Sequence, residues 1–345
     1  MTTPVARAVV LLLAVATLAS ARADSRAAFL KLLERPRAAL APEVAAPVET
    51  EGLVEIAFSF AADAADRVPG ILIKPAANPA ARRPVVINLH GTGGSKEGQR
   101  ALLRDLARAG FVAVAIDGRH HGARAPGGRA AKSAAYVDAV LAAWRAPGKM
   151  YPFFFDTAWD VMRLIDWLET RPDVDPKRIG TWGFSKGGIE AYLAAAADPR
   201  IFATVSCIGV QSFRWALDHD AWQSRIGTVQ AAFDTAAKES GVAVPDAAFV
   251  RAFYDRVAPG IYGEFDGPAM LPLIAPRPFL AINGETDART PLPGLQLCAD
   301  AARAAYRARG AEAAFTLVVQ PATGHKVNPD SMKLAQAWLV QHLKP

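Results

Sequence analysis

The sequence predicts an α/β protein with a mostly parallel central sheet, helices on both faces of the sheet and a helical cap insertion. Strand-like and helix-like runs alternate along most of the 345-residue chain, which is the pattern of right-handed βαβ crossovers. A glycine-flanked serine lies where one of these strands meets the next helix, and a long segment at 211–275 interrupts the alternation. The length fits one such domain with insertions.

The predicted elements begin with an antiparallel hairpin formed by Leu53–Phe60 and Gly70–Lys74. Further on, short β-branched and apolar runs predict strands, and longer runs with helical spacing predict helices. In chain order they are strand Pro84–Leu89, helix Glu97–Ala109, strand Phe111–Asp117, helix Thr157–Glu169, strand Arg178–Trp182, helix Ser185–Ala197, and strands Phe202–Ile208, Pro278–Asn283 and Ala314–Val319 before a C-terminal helix. Residues 53–345 are therefore expected to form one domain that carries the insertion.

The N terminus has the features of an export signal. Arg7 supplies a positive charge, residues 8–18 form a short apolar core, and Ala21-Arg22-Ala23 is an A-x-A cleavage site. The core is shorter than the roughly 20 residues with which a helix spans a bilayer. We expect residues 1–23 to be removed, leaving a periplasmic or secreted protein without stable membrane insertion. Residues 24–52 are expected to be a helical lead-in, Ser25–Leu40, and a connector.

The charge distribution argues against nucleic acid as a partner. The net charge is +6, but the arginines are scattered over alanine-rich helices, and no basic stripe is interleaved with stacking aromatic residues. The two cysteines, Cys207 and Cys298, are expected to be buried free thiols, although export would permit a disulfide.

The pentapeptide Gly183-Phe184-Ser185-Lys186-Gly187 predicts a serine nucleophile. The apolar run before it indicates a buried strand, and the alanine-rich run after it indicates a helix. A serine on such a corner is held in a sharp, strained turn with its hydroxyl above the sheet edge. The helix N terminus also offers free N–H groups to a developing oxyanion.

A base and an acid follow in the order that this motif requires, namely serine, acid and histidine. Of the six histidines, His325 alone lies in a short loop between a late strand and the C-terminal helix, so it is the predicted base. Asp287 is the predicted acid because it lies in the loop after the strand Pro278–Asn283. Glu285 is the competing carboxylate, and a simple turn aspartate is the alternative interpretation of Asp287.

The oxyanion hole is predicted from the backbone N–H groups of Lys186, directly after the nucleophile, and Thr92, in the glycine-rich loop after the strand Pro84–Leu89. Gly91 of the same loop is a candidate substrate contact. The loop lacks the terminal Lys-Ser/Thr of a phosphate-binding P-loop. In the predicted mechanism Ser185 attacks an acyl carbon, His325 transfers the proton and water hydrolyses the acyl-enzyme. No metal or cofactor is expected.

The segment Gln211–Ala275 is too long for an ordinary connection, and it is rich in aromatic residues. We predict a cap above the nucleophile, with Trp215 as a candidate substrate contact. The alternative for each aromatic residue is a place in the cap's own core.

The run Asp117-Gly118-Arg119-His120-His121-Gly122 ends a strand on the catalytic edge. Its histidine pair has no third metal ligand at suitable spacing, so we expect a structural role, with Arg119 as a further candidate substrate contact.

Together these motifs resemble the α/β-hydrolase superfamily, and within it the exported acetyl xylan esterase and dienelactone-hydrolase-related branch. The resemblance extends from about Gly52 to the C terminus. It rests on Val68-Pro69-Gly70 with Pro75, the loop His90–Gly94, the run Asp117–Gly122, the pentapeptide with Gly188, Gly284-Glu285-Thr286-Asp287 and Gly324-His325. It implies the α/β-hydrolase fold and hydrolysis of a small-molecule or carbohydrate ester. Dienelactone hydrolases use a cysteine nucleophile, so Ser185 favours ordinary ester hydrolysis. The Ser-Lys-Gly core is also similar to that of bile-acid-type acyl-CoA thioesterases, but export argues against a CoA substrate.

Three functions therefore compete. The leading hypothesis is an exported serine carboxylesterase that acts on small acyl esters, including acetyl groups on plant polysaccharide. A peptidase related to prolyl oligopeptidases would share the sheet and triad, but the residues before His90 are too few for the β-propeller of those enzymes. A non-catalytic binding protein on the same scaffold would be expected to lack one of the three triad residues, and all three are present.

Overall fold

The computed structural model describes residues 25–344, and the predicted signal peptide lies outside the described residues. Ten strands of this part of the chain form one sheet in the order β1-β3-β4-β6-β5-β7-β8-β9-β10, with β2 paired to β3. The strands are β1 Glu43–Val44, β2 Val48–Thr50, β3 Leu53–Ala61, β4 Arg67–Pro75, β5 Arg83–Leu89, β6 Val112–Ile116, β7 Val174–Phe184, β8 Ile201–Cys207, β9 Phe279–Gly284 and β10 Phe315–Gln320. The predicted antiparallel hairpin is β3 and β4, and β5 to β10 pair in parallel.

Helices connect the parallel strands and cover the sheet. They are α1 at 25–33, α2 Arg100–Arg108, α3 Ala134–Arg145, α4 Phe155–Leu168, α5 Lys186–Ala197, α6 Phe213–Asp218, α7 Gln223–Ile226, α8 Gln230–Glu239, α9 Ala247–Val257, α10 Gly267–Met270, α11 Leu292–Arg307 and α12 Pro329–Leu343. The predicted lead-in helix Ser25–Leu40 is too long, since α1 ends before Pro36, which cannot continue a helix and disfavours helical geometry in the preceding residue. In the described part of the chain, no helix is both long and apolar enough to span a bilayer.

The apolar core occupies both faces of the sheet. Trp182 of β7 is fully buried on one face, and Val85 and Ile87 of β5 are fully buried on the other. Strands that are covered on both faces contain nearly continuous apolar runs, which is why the sequence marked them as strands. The N-terminal helix α1 contributes Phe29 to this core, where its ring lies 5.3 Å from that of Phe155.

The C-terminal end of α5 is held by arginine side chains. Arg277 donates hydrogen bonds to the carbonyl oxygens of Ala195 and Asp198, and Arg26 of α1 donates one to Ala196. The last carbonyl groups of a helix have no partner within the helix, and cations near this end are favoured by the helix dipole. These contacts fix the buried helix that begins at the candidate nucleophile.

The insertion at 211–275 is helical, as the sequence predicted, and contains α6 to α10. The Phe233 ring packs edge to face against those of Phe249 and Phe253, and Trp144 of α3 lies 5.7 Å from each of the latter two rings. These aromatic residues therefore form the insertion's own core.

The two cysteines are free and buried, which agrees with the prediction. Burial raises the pKa of Cys207 to about 12, although a hydrogen bond from the Trp182 indole opposes the shift. The Cys207 thiol is therefore protonated and unreactive at neutral pH.

Candidate active site

Ser185 lies on the sharp turn between β7 and α5. Its φ of 53° is in the left-handed region, which side-chain-bearing residues rarely adopt without functional reason. A Cβ at Gly183 would collide with the carbonyl oxygen of Gly187, and one at Gly187 would collide with that of Leu89. Only glycine fits on either side of the serine, which explains the pentapeptide.

The structure brings Ser185, His325 and Asp287 together in one hydrogen-bonded chain. The Ser185 hydroxyl lies 2.7 Å from His325 Nε2, and His325 Nδ1 lies 2.7 Å from Asp287 Oδ2. Because an ionised carboxylate can only accept, Nδ1 carries the proton and donates to it. Nε2 is then the nitrogen that accepts the serine proton.

Asp287 is held as an ionised carboxylate by its neighbours. Burial alone would raise its pKa, but hydrogen bonds from His325 and Thr290 outweigh that effect and hold the pKa below its usual value. The Thr290 hydroxyl donates to Oδ2 at 2.7 Å, and the Arg289 amide donates to Oδ1 at 2.9 Å. These contacts orient the carboxylate toward the imidazole.

Parallel strand pairing explains how residues 140 positions apart meet. The loops that follow β7, β9 and β10 leave the same edge of the sheet and carry Ser185, Asp287 and His325 respectively, as is typical of sites in open α/β sheets. Glu285, the competing carboxylate, instead accepts a hydrogen bond from the Ala322 amide at 2.8 Å. It therefore joins the acid loop to the histidine loop and does not contact the imidazole.

The glycine-rich loop after β5 passes over the nucleophile. A Cβ at Gly91 would lie 3.6 Å from that of Ser185, so the start of this loop is beside the serine. Thr92, the next residue, remains the predicted second oxyanion donor. His90 fixes the loop because its Nε2 accepts from the Gly118 amide at 3.0 Å while Nδ1 donates to the Gly91 carbonyl at 2.8 Å. Burial and the Lys186 charge lower the pKa of His90 to about 4, so the ring is neutral.

Lys186 is the first residue of α5, and its amide is one of the free N–H groups of that helix. Its side chain is buried beneath the turn, where it forms an ion pair with Glu190 and lies 5.4 Å from the centre of the Tyr136 ring. His121 packs against the same tyrosine ring, at 4.8 Å, and donates through Nδ1 to the Arg119 carbonyl. The side chains of Lys186 and His121 therefore support the turn from below.

Arg119 does not occupy the position that the sequence predicted. Its guanidinium is buried and forms ion pairs with Asp63, Asp66 and Asp160. Arg124 binds the second oxygen of Asp160 at 2.7 Å. The Arg119 charge is thus already compensated inside the protein, so the predicted substrate contact is wrong for this side chain.

The acid sensitivity of this ion-pair network can be predicted from Asp160. Burial would raise its pKa, but Arg119 and Arg124 outweigh burial and hold the pKa below its usual value. A depressed folded pKa stabilises the protein above the unfolded value of about 3.9, and this stabilisation is lost as the pH falls through the folded pKa. We expect Asp160→Asn to weaken this acid dependence and to lower the free energy of unfolding at pH 7 by about 3 kcal/mol, because it leaves buried arginines undercompensated.

Urea denaturation of both proteins between pH 7 and pH 3 would measure these two effects. Asp218→Asn is a matched control because Asp218 forms an exposed ion pair with Arg214, for which we expect a change within about 1 kcal/mol. An Asp160→Asn protein as stable as the wild type at pH 7 would contradict the prediction.

Trp215 lies at the start of α6, and its ring stacks on His219 at 4.4 Å. It lines a surface groove of about 560 Å³ together with Tyr262 and Leu297, and the described residues around this groove do not include Ser185. Trp215 therefore lines a groove whose described residues include none of Ser185, Asp287 and His325.

Comparison with known proteins identifies the family. The family model described as "Acetyl xylan esterase (AXE1)" matches residues 46–218, half of the chain. The chain belongs to the acetyl xylan esterase (AXE1) family. A second model, "Glucuronyl esterase, fungi", matches residues 148–310. The AXE1 match covers the hairpin, the glycine-rich loop and the serine turn, and the second match continues through the insertion and the acid loop.

Solved structures support the α/β-hydrolase fold of this AXE1 family member. Acetyl xylan esterase from Paenibacillus sp. R4 superposes with a TM-score of 0.65 at 19% identity, covering 92% of this chain and 93% of that one. Glucuronoyl esterase from Solibacter usitatus superposes with a TM-score of 0.63 at 16% identity, covering 93% and 92%. At these identities the likeness shows the fold alone.

Among curated proteins, the one named "Putative hydrolase YtaP" from Bacillus subtilis (strain 168) is 28% identical over 185 residues. The match covers 52% of this chain and 52% of that protein. The chain thus matches about half the length of this relative. Membership of the AXE1 family agrees with the resemblance predicted from the motifs.

Proposed function

We propose that the chain is a serine carboxylesterase in which Ser185 is the nucleophile, His325 the general base and Asp287 the residue that orients the imidazole. The observation that supports this most directly is the pair of 2.7 Å contacts that join the three side chains. A hydroxyl within hydrogen-bond reach of an imidazole, itself oriented by a carboxylate, is the arrangement that activates a serine for attack on an acyl carbon.

In the proposed mechanism, Ser185 Oγ attacks the ester carbonyl while His325 Nε2 removes its proton. The amides of Lys186 and Thr92 donate to the oxyanion that develops, and they act without reorganisation because the turn and loop are already fixed. His325 then protonates the leaving alcohol. Water, activated by the same nitrogen, finally cleaves the acyl-enzyme and releases the acid.

We propose acetyl esters of carbohydrate as the substrate class and export as the destination. The substrate class is supported by the AXE1 family description and by the name of the Paenibacillus enzyme that shares the fold. Export is supported by the features of residues 1–23. The mature protein would then meet plant polysaccharide outside the cytoplasm.

A second candidate is hydrolysis of glucuronate esters. It is favoured by the glucuronyl esterase model, whose match at 148–310 includes the insertion and the acid loop. The two candidates differ in which side of the ester carries the sugar. Acetyl removal leaves the sugar as the alcohol, whereas glucuronate ester cleavage forms the acyl-enzyme on the sugar itself.

Kinetics on both substrate classes would test the proposal. Protein expressed from residue 1 should be recovered with Asp24 at its N terminus. It should release acetate from acetylated xylo-oligosaccharides with a higher kcat/KM than it shows for the methyl ester of glucuronic acid. The reverse ranking would favour the second candidate. If the protein hydrolyses neither of these substrates and also fails to hydrolyse p-nitrophenyl acetate, the esterase proposal is overturned.

A further inference from the structure

A small cavity lies between the insertion and the acid loop. It is lined by Gln211, Trp222, Arg225, Tyr254, Tyr262 and Arg289, with Phe213 and two alanines completing the wall. Its volume is about 10 Å³, which leaves room for one small occupant. Two arginines and no acidic residue are among the described residues that line it.

Arg225 is buried in this wall without a carboxylate partner. Only 4% of its surface is exposed, and its hydrogen bonds reach the Gln211 side-chain oxygen and the Arg289 carbonyl, both at 2.9 Å from Nη2. Both oxygens of Asp287, an acidic group close enough to influence its pKa, are already engaged by other donors. Arg119 and Arg124, also buried, bind carboxylates directly. Burial lowers the pKa of Arg225, and the nearby charge of Arg289 adds to this effect.

Three further donors on the cavity wall lack an acceptor within the described residues. They are Gln211 Nε2, Trp222 Nε1 and the Tyr254 hydroxyl, each on an atom with almost no exposed surface. A buried donor is normally satisfied, and a buried cation is normally paired. A water molecule has two lone pairs and no charge, so it would satisfy two of these donors and leave the guanidinium uncompensated. A monatomic anion has no fixed lone-pair directions, so it can accept from several donors on the wall, and it also compensates the charge.

We propose that this cavity binds a single monovalent anion of about the size of chloride. The site also fastens the insertion to the acid loop, because Arg225 donates to the Arg289 carbonyl and Ser224 donates to the Ala288 carbonyl at 2.6 Å. The bound anion stabilises Arg225 in the position from which it holds the loop that carries Asp287. Anion binding at this site can be tested whether or not the esterase proposal holds.

Bromide and chloride are the probes that test the site. Crystals of the wild-type protein soaked in sodium bromide should show an anomalous peak in the cavity beside Arg225. In solution, replacing sodium gluconate by sodium chloride at constant ionic strength should raise the melting temperature along a saturable curve. Equal melting temperatures in the two salts, or bromide bound only elsewhere, would overturn the proposal.

Variants provide the matched comparison. Arg225→Met should abolish the chloride-dependent rise, and Arg214→Met, in an exposed ion pair on the same insertion, should retain it. Because Arg225→Met removes a buried side chain and could fail to fold, Trp222→Phe is the second variant. It keeps an aromatic ring but deletes the indole donor, and it should raise the half-saturating chloride concentration about tenfold. An unchanged half-saturating concentration in Trp222→Phe would count against the site.

Discussion

Replacing Ser185 by alanine should lower kcat for p-nitrophenyl acetate by at least about 10⁴-fold. The substitution removes the oxygen that lies 2.7 Å from His325 Nε2, and with it the covalent route. The turn itself should persist, since the backbone amide of Ser185 donates to the Cys207 carbonyl at 2.9 Å and this bond does not involve the hydroxyl. Stopped-flow and steady-state kinetics on the purified variant would measure the loss, and circular dichroism would verify the fold.

A second substitution tests whether Ser185 and His325 act as one unit. Ser185→Ala, His325→Ala and the double variant should lose similar activity, because residues that act as one unit are strongly non-additive. His219→Ala, at an exposed histidine of the insertion, is the matched control and should retain activity. Multiplicative losses in the double variant would show that the two side chains act independently and would contradict the triad.

Asp287→Asn should lower kcat by about 10⁴-fold while leaving the fold intact. Asparagine has nearly the same shape, but its amide can donate to His325 Nδ1 and stabilise the tautomer that carries the proton on Nε2. That tautomer cannot accept the serine proton, and the imidazolium that forms during attack also loses the neighbouring negative charge. The loss should appear in kcat, with a much smaller change in KM.

Glu285→Gln is the control that separates the two carboxylates. Glutamine keeps an oxygen that can accept from the Ala322 amide, the contact that Glu285 makes in the structure. Its activity should therefore remain close to that of the wild type. A larger loss in Glu285→Gln than in Asp287→Asn would show that Glu285, and not Asp287, is the acid of the triad. The loop would then have to rearrange on substrate binding.

The sequence was most informative where function depends on local geometry. The strand before Ser185 and the helix after it were visible as apolar runs, and the flanking glycines are required by contacts within a few residues. The order of Ser185, Asp287 and His325 also followed from the sequence, because parallel strands deliver successive loops to one edge of the sheet. Strand ends were misplaced by one to a few residues; β7, for example, begins at Val174, ahead of Pro176, where the apolar run is interrupted.

What the sequence could not reveal depends on side chains that meet across long separations. Arg119 was predicted to contact substrate because it follows a strand on the catalytic edge. Its ion-pair partners Asp63 and Asp160 lie far from it in the sequence, so the residues next to Arg119 do not indicate them. The predicted substrate contact of Trp215 could not be judged from the sequence either, because the direction of its ring depends on how α6 packs against the neighbouring helices. Arg225 was not singled out at all, since an arginine inside a helical insertion ordinarily indicates a solvated surface.

The packing of α1 has a consequence for how the protein can be divided. Phe29 and Leu33 are almost completely buried, the Phe29 ring lies 5.1 Å from Phe265 of the insertion, and Arg26 binds a carbonyl of the segment that follows α10. A version beginning at residue 53 would lose β1, β2 and the Phe29 ring, which packs against both Phe155 and Phe265. We therefore expect a folded form of the domain to need α1, which packs against both the start of α4 and the insertion.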